Sequence, residues 1–452
     1  MDRYLPTGNE MVSLPKINEL TAGIEDFTFL SMQHKGMIEV RGSSNTPLIQ
    51  PFIRTGEAEL PLTDLQWSQD SYWIPALQAK VGSSRFGMTI LTPIGERGFA
   101  VKLSLTAGED ISLTWGLKGC WDGSFHCVNE DKELDGIPRC YRSGWNHSLI
   151  FDFRCGTPLF AFAPMCSQET DADFHEENGA IFYTLSRQEE IPAGEIRELI
   201  FYWGLGFEEV AAATSAKEML RRGWDREDRR TVSWLEKRTR QMPTAKLTDI
   251  YNINLLFCIF YSTGITLDTE ELICATSRGT RYYVSAAYWD RDVLLWSFPA
   301  ILDAAPDLAE QILHYIYGRQ RRNLGIHSRY IDGTVLEPGF ELDELMAPVI
   351  ALEAYVERTG DQSILTDSDV QKGITQILNT LETMRHPEIP LYETFLQPTD
   401  DEIVHPYLTY NNVLVWRALG ALARLYPSKY DFLAATAEVV KAAIYTHCVF
   451  HD

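Results

Sequence analysis

The sequence predicts a multi-domain, β-then-α protein: an antiparallel β-sandwich over 1–206, a helical linker over 207–245 and a helical domain over 246–452. Three observations carry this. The first two hundred residues alternate apolar and polar positions in short runs punctuated by Gly, Pro, Asn and Asp, the pattern of stacked antiparallel sheets. Near residue 207 the composition turns to Ala, Glu, Lys and Arg at helical spacing. From residue 245 apolar positions recur with the helical period almost to the end.

In the β half the clearest runs are GMIEVRG, FGMTILTPIG, GFAVKLSLTAG, ISLTWGLKG, SLIFDFRCGTPLFAFAP, AIFYTLSR and IRELIFYWGLG. The highly charged stretch EEVAAATSAKEMLRRGWDREDRRTVSWLEKRTRQM predicts one or two solvated helices. Beyond it, helices are expected over 247–263, 287–304, 306–323, 343–358, 363–385, 408–426 and 429–447. Thr248 and Asp249, Pro306 and Pro406 supply start signals. The irregular, polar and aromatic loops 324–342 and 386–407 are where a helical scaffold keeps its chemistry.

Composition narrows the partners. The formal net charge is −23, from 63 acidic and 40 basic residues. A field of that sign repels phosphate backbones and anionic membranes, so neither nucleic acid nor membrane is expected as a partner. No stretch approaches the roughly 20 apolar residues that cross a bilayer. The N-terminus lacks the basic and apolar regions of a signal peptide, which leads to the expectation of a cytoplasmic protein. The eight cysteines form no CxxC pair and are expected as thiols. No cofactor motif and no metal-ligand spacing stands out. The 12% aromatic content, with 11 Trp and 20 Tyr, suits stacking on sugar rings and equally suits large cores.

Three constellations could carry chemistry. In YWDRD, Tyr288, Trp289, Asp290, Arg291 and Asp292 combine two aromatics, two acids and an Arg at a helix start. Acids there can simply cap the helix. The same mixture also makes a sugar subsite, with acceptors and a donor for hydroxyls and an aromatic wall for the ring. In LEPGFELDEL, Glu337, Glu341, Asp343 and Glu344 crowd a loop-to-helix junction, where like charges raise carboxyl pKa values. In PTDDEIVHPYLTYNN, Asp400, Asp401, Glu402 and His405 precede a helix that carries Asn411 and Asn412 in its first turns. A general acid for glycoside cleavage must hold a proton near neutrality, and a carboxyl among carboxyls and aromatics suits that task.

PTDDEIVHPYLTYNN, followed by an apolar helix, resembles the GPDEYH…NNAYTN segment of glycoside hydrolase family 65, the family of disaccharide phosphorylases and acid trehalases. Upstream, YWDRDVLLWSFPAILDAAPDLAEQILHYIYGR is similar to that family's FWDTE segment and following helix. The resemblance covers residues 280–425, and the glucoamylases of family 15 and the glucosidases of family 63 share the fold. It implies an (α/α)6-type helical toroid after the β-sandwich, and an inverting general acid/base cleavage of an α-linked, glucoside-like disaccharide or oligosaccharide. The family's general acid falls on Glu402; the glucoamylase pattern points instead to Glu393, with Asp343 third. Trp289 and Asp290 take the family's sugar-binding Trp-Asp, and Tyr288, Arg291, Asp292, Asp401, His405 and Asn412 complete the expected substrate site. Two departures stand out: one extra residue separates Glu402 from His405, and Asp292 replaces a Glu.

A closed six-hairpin toroid needs about twelve helices of about 11–12 residues, more than 246–452 can hold, and about seven are legible. The toroid is therefore expected to be incomplete and the chain a fragment. A disaccharide phosphorylase and a non-catalytic sugar-binding protein stand as alternatives. A lyase would use His314, His327 or His405. The sequence sets neither the sugar nor the oligomeric state.

Overall fold

The computed structural model describes residues 3–121, 125–127, 132–279 and 284–449. Arg281, Tyr282 and Tyr283, just ahead of YWDRD, lie outside them. The chain divides into two compact units, the first comprising 1–256, 264–271 and 278–285 and the second 257–263, 272–277 and 286–452.

The first unit is the β-sandwich. Its eight-stranded antiparallel sheet runs, edge to edge, Ile137–Arg142, Leu149–Cys155, Thr157–Cys166, Ile196–Gly206, Gly98–Thr106, Ser84–Leu91, Ile74–Val81 and Thr63–Asp70. A five-stranded sheet runs Asp171–Glu177, Ala180–Ile191, Ile111–Trp121, Gln50–Thr55 and Ala58–Glu59, and a third holds the four strands of 4–41 with two short ones. The period-2 pattern explains the register. Phe99 pairs with Trp203, Val101 with Phe201 and Leu103 with Leu199, and all six face one apolar core with Phe27, Trp115, Leu117 and Phe162. Trp121 and Phe151 stack within it at 4.6 Å.

The opposite face of the large sheet is covered too. The segment expected as a linker folds into α1 (Glu209–Arg222) and α2 (Trp224–Arg238). Helix α1 packs on the sheet through Ala212 and Ala213 against Ile150, Ala161 and Ala163. Its closeness requires small residues beneath it, since a Cβ on Gly204 would meet Ala212 O at 2.2 Å.

Helix α3 (Ala245–Ser262) follows. In the second unit a π-helical turn, Arg291–Ser297, runs into α4 (Phe298–Ala304). Then come α5 (Pro306–Gly318), α6 (Leu342–Thr359), α7 (Ser368–Thr383), α8 (Thr409–Leu425), the single turn α9 (Pro427–Tyr430) and α10 (Phe432–His447). Successive helices pair as hairpins, α4 with α5, α6 with α7 and α8 with α10, while α6 packs between α4 and α8. Helix α6 is buried almost all round its first three turns, as the central member of a row must be, whereas α7 buries a single stripe of Val370, Gly373, Ile374, Ile377 and Leu381. These are the hairpins of an (α/α) toroid. The six cysteines whose side chains are described are unbridged, and among the described residues no helix is long and apolar enough to cross a membrane.

Candidate active site

The second unit brings the starts of neighbouring helices together, and the loops entering them carry nearly all its buried charge. Arg291, 3% exposed, is the centre. Its Nη1 donates to Glu341 Oε2 at 2.6 Å and to Asp343 Oδ2 at 3.3 Å. Its Nη2 donates to Asp400 Oδ1 at 2.8 Å. Asp292 Oδ1 lies 3.5 Å from Nε and Glu344 Oε1 3.8 Å from Nη1. One guanidinium thus collects carboxylates from its own segment, from the start of α6 and from the loop before α8. Carboxylates so crowded, several fully buried, would repel one another without that cation, and they hold the Arg291 guanidinium firmly protonated.

Glu344 reaches across to the neighbouring helix and accepts the Asp290 amide and, at 3.2 Å, the Arg291 amide. A side chain from the first turn of α6 therefore caps the π-helical turn, work that a local residue usually does. Asp290 is itself wholly buried, accepting from the Tyr288 hydroxyl and from Arg329. The Arg329 guanidinium lies over the Tyr288 ring at 4.8 Å.

His327 forms the second pole. Its Nδ1 is 2.6 Å from Glu341 Oε1 and its Nε2 3.3 Å from Glu337 Oε2. Burial works against its charged form, but the Glu341 hydrogen bond and the charges of Glu341, Asp400 and Glu337 outweigh it and raise the imidazole above its ordinary value. The Trp289 ring meets it edge to face at 5.6 Å, and the buried Trp289 Nε1 has no hydrogen-bond partner among the described residues.

The carboxyls separate by environment. Burial pushes Asp292 up to about 6, against the Arg291 charge and with the help of Asp400. Asp343 is raised by burial, opposed by Arg291 and aided by Glu341. Glu344 is raised well above its ordinary value by burial and by Asp290. Of these three, Asp292 alone reaches the surface, its side chain 17% exposed against 0% for the other two.

Of the sequence-predicted residues, Tyr288, Trp289, Asp290, Arg291, Asp292 and Asp343 meet here. Asn412 turns elsewhere: its amide donates to Tyr392 O at 3.0 Å and accepts from Tyr392 N at 2.8 Å, fixing the loop before α8. Glu402 is exposed in a small hairpin opposite Leu396, and its side chain makes no hydrogen bond or ion pair among the described residues. Glu393 is exposed, and its charge helps to raise the Tyr407 hydroxyl above its ordinary value after burial. Asp401 accepts from the Thr399 hydroxyl at 3.0 Å, and His405 is exposed. The member of that loop which enters the cluster is Asp400, at a turn with φ of 66°, a conformation Asp tolerates.

Sequence reasoning missed Arg329 and Tyr410. Arg329 lies 39 residues from Asp290 with no local signal. Tyr410, in the first turn of α8, is raised by burial and by the Asp343 charge, and its place beside the expected Asn pair was the available clue. His327, Glu341 and Asp400 offer ligand atoms within 4.8 Å of one another, but Arg291 already holds both of these carboxylates, so a guanidinium stands where a cation would be needed.

No family model and no curated protein matches the sequence. Solved structures do match. A kojibiose phosphorylase from human microbiome aligns with a TM-score of 0.66 at 10% identity, over 99% of this chain and 68% of that one. A bacterial glucoamylase complexed with acarbose aligns with a TM-score of 0.58 at 12% identity, over 98% of this chain and 67% of that one. At such identities the likeness is one of fold: a β-sandwich followed by an (α/α) toroid.

Proposed function

We propose that this chain belongs to an enzyme that cleaves an α-linked, glucoside-like disaccharide or oligosaccharide by inverting hydrolysis. The observation that carries the reading is the Arg291 cluster: carboxyls pooled at neighbouring helix starts, one of them held near pH 6 with an edge at the surface. Inverting cleavage needs one carboxylic acid to protonate the leaving oxygen and one carboxylate to activate water. Asp292 has the properties of the proton donor, since burial keeps it protonated into the range where enzymes work. Asp400, half exposed, offers hydrogen bonds to sugar hydroxyls, and His327, held between Glu341 and Glu337, fixes the carboxylates beside it. The glucoside preference is supported by the names of the two similar structures, a kojibiose phosphorylase and a glucoamylase. Hydrolysis is favoured over phosphorolysis because the carboxylates around Arg291 leave it little attraction for a phosphate.

The residue assignment is tested by two substitutions measured side by side. Asp292→Asn is expected to reduce kcat by about a hundredfold or more, while Glu402→Gln stays within about threefold of the parent. A Glu402→Gln variant without turnover beside an active Asp292→Asn would return the acid role to Glu402, where the family resemblance puts it.

A further inference from the structure

The β-sandwich carries a cavity of its own, about 400 Å³, remote in sequence from the acidic cluster. It lies on the five-stranded sheet. Along Ala180–Ile191 the residues Ile181, Tyr183 and Leu185 are buried in the core, so Phe182 and Thr184 point the other way. A face turned away from the core ordinarily takes polar side chains. Here the cross-strand partners His175 and Phe182 stack instead, with ring centroids 5.4 Å apart and planes within 14°. The adjacent row across the same strands is polar: Asp173 pairs with Thr184, and Thr184 with Lys118. The Lys118 amine is fixed by both oxygens of Glu59, at 2.8 and 2.6 Å. Asn45 closes one side, and the side chains of Asn45, Asp173 and Thr184 make no hydrogen bond among the described residues.

We propose that this cavity is a second, non-catalytic carbohydrate site, taking one end of a glucan or a disaccharide. The outer ring face of the stacked His175–Phe182 pair covers the apolar face of a pyranose ring. The neighbouring row supplies what the ring's edge needs: a carboxylate to accept from adjacent hydroxyls, an ammonium to donate, and a hydroxyl and an amide that do both. An anionic ligand is disfavoured because Glu59 already neutralises Lys118 and Asp173 stands beside it. The size is that of a small-ligand site, within the roughly 300–1,000 Å³ such pockets occupy. Sugar binding here uses this cavity's own residues and does not depend on the reaction proposed for the acidic cluster.

The test is binding to the full chain carrying Asp292→Asn, so that substrate is not consumed. Maltose, cellobiose and α-mannobiose are each titrated by saturation-transfer NMR and calorimetry. At least one is expected to bind saturably, with affinity lowered at least about tenfold by Phe182→Ala and measurably by His175→Ala, whose exposed side chain can be removed without disturbing the fold. In the parent background Phe182→Ala should leave turnover unchanged. Absence of saturable binding by all three sugars, or binding undiminished in the folded variants, overturns the proposal; should Phe182→Ala fail to fold, His175→Ala decides alone. Loss of turnover in Asp292→Asn with this binding intact separates the two sites, and a chain that binds here yet never cleaves sugar would remove the reaction but not the site.

Discussion

Arg291→Met removes the guanidinium that Glu341, Asp343 and Asp400 share, while keeping most of the side-chain volume. Glu341 and Asp343 have fully buried side chains, so the substitution strands carboxylates in a low-dielectric pocket. Breaking a buried ion pair from one side costs about 3–5 kcal/mol, and that is the expected loss of stability near neutral pH. The loss depends on pH in a definite direction. Asp343 and Glu344 already sit above their ordinary values, and Arg291 is the principal influence holding them down. Without it their folded-state pKa values rise further. The penalty is therefore absent below the unfolded carboxyl pKa and grows as pH climbs through the folded one. Urea unfolding followed by near-ultraviolet circular dichroism, fitted as two transitions because the chain has two units, should show a smaller variant deficit at pH 5 than at pH 7.5. A deficit under about 1 kcal/mol, the size of a surface pair, or one equal at both pH values, would refute the reasoning.

Asp292 gives the converse result. Its carboxyl rises from 3.8 to about 6 on folding, so wild-type stability is lost as pH rises through that window, on the order of 3 kcal/mol by neutrality. Asp292→Asn should then match the parent near pH 4 and exceed it above pH 7, a gain in stability with a loss of activity, read by thermal unfolding at both pH values. In the β-sandwich, Gly204→Ala places a Cβ 2.2 Å from Ala212 O, backbone that cannot give way without lifting α1. A loss of about 2–3 kcal/mol should appear in the first unit's transition alone, with hydrogen exchange in α1 accelerated most.

The legibility of this sequence divides along the range of the interactions. Periods of 2 and 3.6 are local, and they placed the central strands and, to within two residues, the helices α3, α6 and α8. Asp171–Glu177 escaped because DADFHEE carries only Ala172 and Phe174 as apolar positions on its inward face, too short an alternation for a strand to be read from it. The expected helix 287–304 is divided: Tyr288 pairs with Arg329 as an isolated bridge, and the helix proper begins after Asp290 with a π-helical turn. Only Arg329 and Glu344, 39 and 54 residues downstream of Asp290, decide that, and no local pattern reveals them. The same holds for the site. YWDRD and the acidic start of α6 were recognisable from their residue types. Which acid of PTDDE enters the cluster depends on the backbone turn at Asp400, which a motif does not encode.

The most direct test of the central claim is a turnover assay of the full chain on aryl α-glucosides and α-linked glucose disaccharides, with and without phosphate, the released anomer followed by proton NMR. The expected result is β-configured glucose released without phosphate, with activity falling as pH rises past about 6, where Asp292 gives up its proton. Release that requires phosphate would make it a phosphorylase, retention of configuration would contradict the inverting mechanism, and no release under either condition would contradict glycoside cleavage itself.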